Sequence, residues 1–242
     1  MDIESLIARV TEETYARLKA VQEGRKPSEL AGCIEHSLLN PDIAADAIRK
    51  GCEEARQYGF ANVCVSPYYV AMAAELLRGS GVAVCTAAGF PHGAASTKAK
   101  CAEIREAIMN GATEVDAALM IVAAKSGDFA GVRKDLEEMI SVAGGRAKLK
   151  AIYEQGLLTD DEKKCVLTIA AECGADYVKI SNALTGKKAC EQDVQFVRSV
   201  IGNKVGIKID GGIKDAAFAS SLLDAGANRL GCSASVKIVT GA

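Results

Sequence analysis

The chain has 242 residues, 49% hydrophobic and 25% charged, with a formal net charge of −2. That length suits one large core, and the near-neutral charge gives no electrostatic reason for a nucleic-acid or anionic-membrane partner. No apolar run approaches the ~18 residues that cross a bilayer, and the acidic start Met1-Asp2-Ile3-Glu4 is unlike a secretory signal, so a cytoplasmic protein is expected.

Along the chain, short apolar or β-branched runs alternate with amphipathic stretches. A helical stretch from Ile3 to about Glu23, within an extension over residues 1–30, carries Leu6, Ile7, Val10, Tyr15 and Leu18. It is expected either to cap the molecule or to pair two copies as a homodimer. Strands are predicted near Cys33–His36, Ala61–Ser66, Val82–Ala87, Glu114–Leu119, Lys148–Tyr153, Tyr177–Ile180, Val205–Ile209 and Arg229–Gly231. Between them, helices are predicted over windows such as Lys98–Met109, Gly131–Val142 and Asp160–Glu172, where apolar residues recur at three- and four-residue spacing. Gly59, Gly111, Gly174 and Gly226 are placed to stop helices just before a strand. Strands separated by whole helices pair in parallel, and eight such units close naturally into a (β/α)₈ barrel. The expected organisation is one domain over 1–242. A doubly wound open sheet is the competitor, although the chain has neither G-x-G-x-x-G after its first strand nor G-x-x-x-x-G-K-[ST].

Nine cysteines form no C-x-x-C pair and mostly sit in apolar runs, which fits buried thiols better than bridges or zinc ligands. With only His36 and His92 besides, no metal and no cofactor is expected. Both histidines lie near strand ends, where they serve either as structural hydrogen-bonders or as substrate contacts.

Barrel enzymes build their sites at the C-terminal ends of the strands. Strand four carries Asp116, strand five Lys150, strand six Lys179 and strand seven Lys208. Burying an ammonium ion is costly, so three lysines on successive strands are hard to explain as packing alone. The competing reading is a structural set of ion pairs. In the chemical reading, burial and a neighbouring cation favour loss of a proton, so that Lys179 or Lys208 becomes a neutral nucleophile able to form an imine with a carbonyl. Asp116 is then the candidate proton relay. Gly211-Gly212 after strand seven and Gly231 to Ser235 after strand eight suggest a phosphate site built from backbone N–H groups, with Ser233 in the loop. Cys64 and Ser66 are expected to line the pocket, and Glu154, ending strand five, to pair with one of the lysines.

Six segments in order resemble the deoxyribose-phosphate aldolase family: Ile34 to Leu39, Val63 to Pro67, Gly89 to Gly93, Lys125 to Asp128, Gly156 to Asp160 and Ala175 to Lys179. The resemblance runs from about Ile34 to Val236. It implies a metal-independent aldolase on a (β/α)₈ barrel, with Lys179 as the imine-forming lysine and Lys208, Asp116 and Lys150 as its catalytic companions. The implied reaction is reversible cleavage of 2-deoxyribose 5-phosphate to acetaldehyde and glyceraldehyde 3-phosphate. Glu35, Ser37, Cys64, Ser181, Asp210, Gly211, Gly212, Lys214, Gly231 and Ser233 are expected to bind substrate.

Departures from the family pattern cluster in that substrate shell. Asp-His-Thr becomes Glu35-His36-Ser37, and the residues after Ser181 are Asn182-Ala183-Leu184 rather than Thr-Gly. Met120 replaces an asparagine, and the paired serines of the last loop become Ser233-Ala234. The family's Ser before the glycine pair is Asp210, and its Gly-Gly-x-Arg ends in Lys214. A carboxylate beside a phosphate is repulsive by ~1 kcal/mol per charge pair at about 4 Å in water. Asp210 therefore raises the expectation of a changed, unphosphorylated substrate, unless Lys187, Lys188 and Lys214 compensate. Two other functions compete: a phosphosugar isomerase or synthase using Asp116 and Lys150 as acid and base, and a non-catalytic sugar-binding protein.

Overall fold

A computed structural model describes residues 5–7, 11 and 25–241. The predicted N-terminal helix lies largely outside these residues, and the side chains of Leu6 and Ile7 are exposed. A short helix, α1 (Pro27–Ala31), leads into β1 (Ile34–Leu38) and packs Leu30 and Ala31 into the core. Strand and helix then alternate: α2 (Ala45–Tyr58), β2 (Asn62–Val65), α3 (Val70–Leu76), β3 (Ala83–Ala88), α4 (Thr97–Met109) and β4 (Glu114–Ala118). Two helices, α5 (Ile121–Lys125) and α6 (Phe129–Ala143), separate β4 from β5 (Lys148–Glu154). The remainder is α7 (Asp160–Cys173), β6 (Tyr177–Ser181), α8 (Glu191–Ile201), β7 (Gly206–Asp210), α9 (Ala216–Asp224), β8 (Arg229–Cys232) and α10 (Ser235–Thr240).

All eight predicted strands are present, all pairings are parallel, and β8 pairs with β1 to close the barrel. The open-sheet alternative is thereby excluded. Helix boundaries have local causes. Ser96, Asp128 and Asp215 accept hydrogen bonds from the first turns of α4, α6 and α9. Thr159 and Glu162 cap α7 reciprocally. Gly59 and Gly174 end α2 and α7 in the left-handed conformation, as predicted. Gly111 and Gly226 instead lie one residue beyond the caps Asn110 and Ala225.

Side chains alternate across each strand, and this divides the interior in two. Ile34, Val63, Val84, Val115, Leu149, Val178, Ile207 and Leu230 belong to the apolar layer between strands and helices. The residues beside them, such as Glu35, Cys85, Asp116, Lys150, Lys179 and Lys208, meet one another inside the barrel. No described helix is long and apolar enough to cross a membrane.

One ion pair ties the outer layer together. Lys100 on α4 is fully buried, donates to the Ala118 carbonyl at 3.1 Å, and lies 2.6 Å from Asp135 on α6. Replacing Asp135 with Ala leaves that ammonium without a counter-ion and should destabilise the fold by about 3–5 kcal/mol, read from the urea midpoint at unchanged slope. Lys100→Met with Asp135→Leu should lose far less, because neither charge then remains buried.

Candidate active site

Asp116, in the middle of β4, is fully buried and engages both carboxylate oxygens. Its Oδ1 accepts from Lys150 at 3.1 Å and Cys85 at 3.3 Å, and its Oδ2 from Lys179 at 3.0 Å and Lys208 at 2.6 Å. Strand register brings these groups together. Asp116 stands opposite Lys150 across β4 and β5, and Lys179 opposite Lys208 across β6 and β7. Glu35 on β1 accepts from Lys208 and from Lys150, and Glu114 lies 2.6 Å from Lys150. Arg229 on β8 is 3.9 Å from Glu114, which also accepts from Asn62 at 2.7 Å. At the top, the Asp210 Oδ2 is 3.0 Å from the Lys179 Nζ. Lys150, Lys179, Lys208 and Arg229 thus face Glu35, Glu114, Asp116 and Asp210, so the cluster is balanced in charge.

This balance reverses one expectation. Burial pushes the lysine pKa values down, but the carboxylates outweigh it. Lys179 is raised by Asp116 and Asp210, and Lys208 is raised well above the ordinary lysine value by Asp116 and Glu35. Lys150 is likewise held charged against burial, chiefly by Asp116. Lys208 does push the Lys179 pKa down, but Asp116 and Asp210 outweigh it. Conversely, burial favours a neutral Asp116, but Lys150, Lys179 and Lys208 hold it well below the usual carboxylate range. Asp116 and Asp210 thus favour the ammonium form of Lys179 in the unliganded site.

Above this network opens a cavity of about 430 Å³ at the C-terminal ends of the strands. Of the predicted residues, Lys179, Ser37, Asp210, Gly211, Gly212, Lys214, Gly231 and Ser233 line it. Glu35, Cys64 and Ser181 do not, and all three are buried. Glu35 supports two lysines, and the Ser181 Oγ accepts from the Ala183 N–H in the following loop. Lys150, Lys208 and Asp116 likewise stand outside the cavity lining, beneath Lys179. Ser66 also lies outside the lining and precedes a single 3₁₀ turn.

Other expectations change as well. Among the described residues Glu154 meets no lysine within ion-pair distance and instead accepts from the Leu184 N–H at 3.2 Å, bracing the loop after β6. His36 is a structural hydrogen-bonder, 2.8 Å from Ser235, and burial lowers its pKa despite Glu54. His92 is exposed and outside the cavity lining. Lys187 pairs with Asp193 at 2.8 Å, so of the three compensating lysines only Lys214 lines the cavity. All nine cysteines are free, with five buried and Cys165 exposed.

Phe90 was not singled out as a site residue. It lines the cavity with its ring centroid 5.4 Å from the Lys179 Nζ, a cation–π contact. Leu39, Asn40, Ala183, Ile213 and Cys232 complete the wall. Leu39, Ala183 and Cys232 fall in segments already marked by the family pattern or the phosphate loop, whereas Asn40 had only its proximity to a strand end. Gly231 is required by close approach: a Cβ there would lie 2.8 Å from the Asp210 Cβ and 3.4 Å from the Lys208 Cε.

Among the described residues two buried groups have metal-ligand composition, Cys64 with Cys85 and Asp116, and Glu35 with Cys85 and Glu114. The Lys150 ammonium sits among these atoms, 3.3 Å from the Cys85 sulfur and within 3.1 Å of Glu35, Glu114 and Asp116. It supplies the positive charge that a cation would otherwise bring.

Comparison with known proteins agrees with this geometry. A family model described as DeoC/LacD family aldolase matches residues 32–238. The deoxyribose-phosphate aldolase of Brevibacillus brevis is 47% identical over 209 residues, covering 86% of this chain and 94% of its own. That of Halalkalibacterium halodurans is 44% identical over 213 residues, covering 88% and 95%. Among solved structures, a tetrameric deoxyribose phosphate aldolase from Aeropyrum pernix superposes with a TM-score of 0.83 at 28% identity, covering 92% of this chain and 94% of that one. A barrel whose lumen is filled by paired lysines and carboxylates, matched over most of its length, belongs to the DeoC/LacD family of aldolases.

Proposed function

We propose that this chain is a Schiff-base aldolase that reversibly cleaves 2-deoxyribose 5-phosphate to acetaldehyde and glyceraldehyde 3-phosphate. The observation that carries the reading is the position of the Lys179 Nζ, on the wall of the cavity and in contact with two carboxylates. Names borne by close relatives supply the substrate.

Imine formation needs a neutral amine, so Lys179 must release a proton when a carbonyl arrives. Its carboxylate neighbours are in place to receive that proton. The iminium then draws the electron pair of the breaking carbon–carbon bond. Asp116 and Lys208 keep a fixed field beneath the reacting nitrogen, an arrangement that needs no reorganisation during the step.

Phosphate is compatible with this site despite Asp210, because the Asp210 charge is directed at Lys179. Gly211 and Gly212, both with positive φ, together with Ser233 and Lys214, offer the phosphate a separate stretch of wall. The isomerase reading is weaker, because its acid and base, Asp116 and Lys150, are sealed from the cavity.

Borohydride reduction with acetaldehyde should leave one ethyl group on Lys179, located by peptide mass mapping, and none in Lys179→Leu. No adduct on folded wild-type protein would reject the imine. Because the Lys179 pKa is raised, the reactive fraction should be small at neutral pH. The trapping rate should therefore climb with pH, roughly tenfold per pH unit while the ammonium predominates. A trapping rate independent of pH would contradict an ion-paired Lys179. Steady-state cleavage should favour deoxyribose 5-phosphate over deoxyribose by at least about tenfold in kcat/KM, as expected for charge-assisted contacts. Equal rates would point to an unphosphorylated substrate.

A further inference from the structure

Two carboxylates touch the Lys179 Nζ, and they differ in what else they can reach. Asp116 is sealed, with both oxygens held by Lys150, Lys208, Lys179 and the Cys85 thiol. Asp210 ends β7 at the cavity wall with 29% of its side chain exposed. Lys179 is its only ion-pair or hydrogen-bond partner among the described residues, and only its Oδ2 is used.

We propose that Asp210 is a catalytic residue: the carboxylate that exchanges a proton with the substrate hydroxyl at the carbon–carbon bond being broken or made. This rests on the imine reading for Lys179. In an iminium formed there, the hydroxyl-bearing carbon lies two bonds beyond the imine carbon. A base for that hydroxyl must therefore sit beside the imine nitrogen, on the side open to substrate. Asp210 occupies that place, and a general base acts over ~2.6–3.2 Å.

The pairing also changes as the reaction proceeds. An ammonium offers three N–H groups, whereas the iminium keeps one. Asp116 remains neutralised by Lys150 and Lys208 after this loss. Asp210 is left with at most that single N–H and with one oxygen free toward the cavity. In cleavage, the hydroxyl proton passes to the Asp210 carboxylate as the oxygen becomes the carbonyl of the departing aldehyde. The carbon–carbon pair moves toward the iminium, leaving a neutral enamine on Lys179. In synthesis, protonated Asp210 returns the proton to the acceptor's carbonyl oxygen as the new bond forms. No oxidant or further reactant is required.

Asp210→Asn and Asp210→Ser separate this role from that of Lys179, since trapping of acetaldehyde by borohydride reports imine formation alone. Both variants should still form the Lys179 adduct. Their kcat for cleavage of deoxyribose 5-phosphate should fall by about 10²-fold or more, with KM little changed. Groups around Lys179 that remain to shape its pH dependence are Asp116, Lys208 and Cys64. With Asp210 neutral, the trapping rate should reach a given value at lower pH, because one of the carboxylates holding the ammonium is gone. Cleavage within about threefold of wild type in the Asn variant would overturn the proposal. Trapping and cleavage falling in equal proportion in both variants would also overturn it, since Asp210 would then act only by placing Lys179. Absence of any adduct in wild type would remove the imine reading and the proposal with it.

Discussion

Asp116 is the point on which the rest of the interior depends. One carboxylate in mid-barrel accepts from three lysines on three strands. Without it, Lys150, Lys179 and Lys208 would crowd like charges into a space sealed from water. Removing ions from water costs several kcal/mol each, and only close opposite charges with satisfied hydrogen bonds offset that cost. The lumen matches its charges with four carboxylates against three lysines and Arg229, while the Glu35 Oε1 and the Arg229 Nη1 have no hydrogen-bond partner among the described residues. This arrangement is held as a unit, because the loss of any one partner leaves a buried charge unmatched.

The network is graded along the barrel axis. Near the N-terminal ends, Arg229, Glu114 and Asn62 form a closed polar group. Lys150, Glu35, Asp116 and Cys85 follow, and none of them lines the cavity. Only at the C-terminal ends does the series reach Lys179 and Asp210, which do. Groups placed deeper set the charge and position of the ones that can meet a ligand. A buried acid or base is therefore no measure of which residue touches substrate, and the division between Asp116 and Asp210 illustrates the difference.

The loops at the mouth are braced by contacts that avoid the reacting atoms. Glu154 and Ser181 hold the backbone of residues 183 and 184, Gln155 bridges Asn182 and Asp193, and the Ala189 N–H bonds to the Gly211 carbonyl. Most substitutions in the family pattern fall on this rim and at the head of the lysine pair, and Glu35 lies deeper, against Lys150 and Lys208. Asp210 is accommodated because it finds Lys179 as a counter-ion and Gly231 as a neighbour without a side chain.

The strands, the helices between them and the placing of Asp116, Lys150, Lys179 and Lys208 on successive strands were legible in the sequence. These depend on local periodicity, which assigns alternate residues of a strand to opposite faces. Six matching segments added the family. Other features depended on tertiary structure. Closure required β8 to reach β1, which no local pattern encodes. Phe90 meets Lys179 across the barrel mouth although 89 positions separate them in the chain. Glu154 has a backbone partner rather than a lysine. Above all, the charge of Lys179 could not be read from its neighbours in sequence. Burial and a nearby lysine argue for a neutral amine, but Asp116 and Asp210, brought within 3.0 Å from two other strands, outweigh both. Sequence determined which charged groups the successive strands carry; register and closure decided which of them touch, and electrostatics at that range depends on contact.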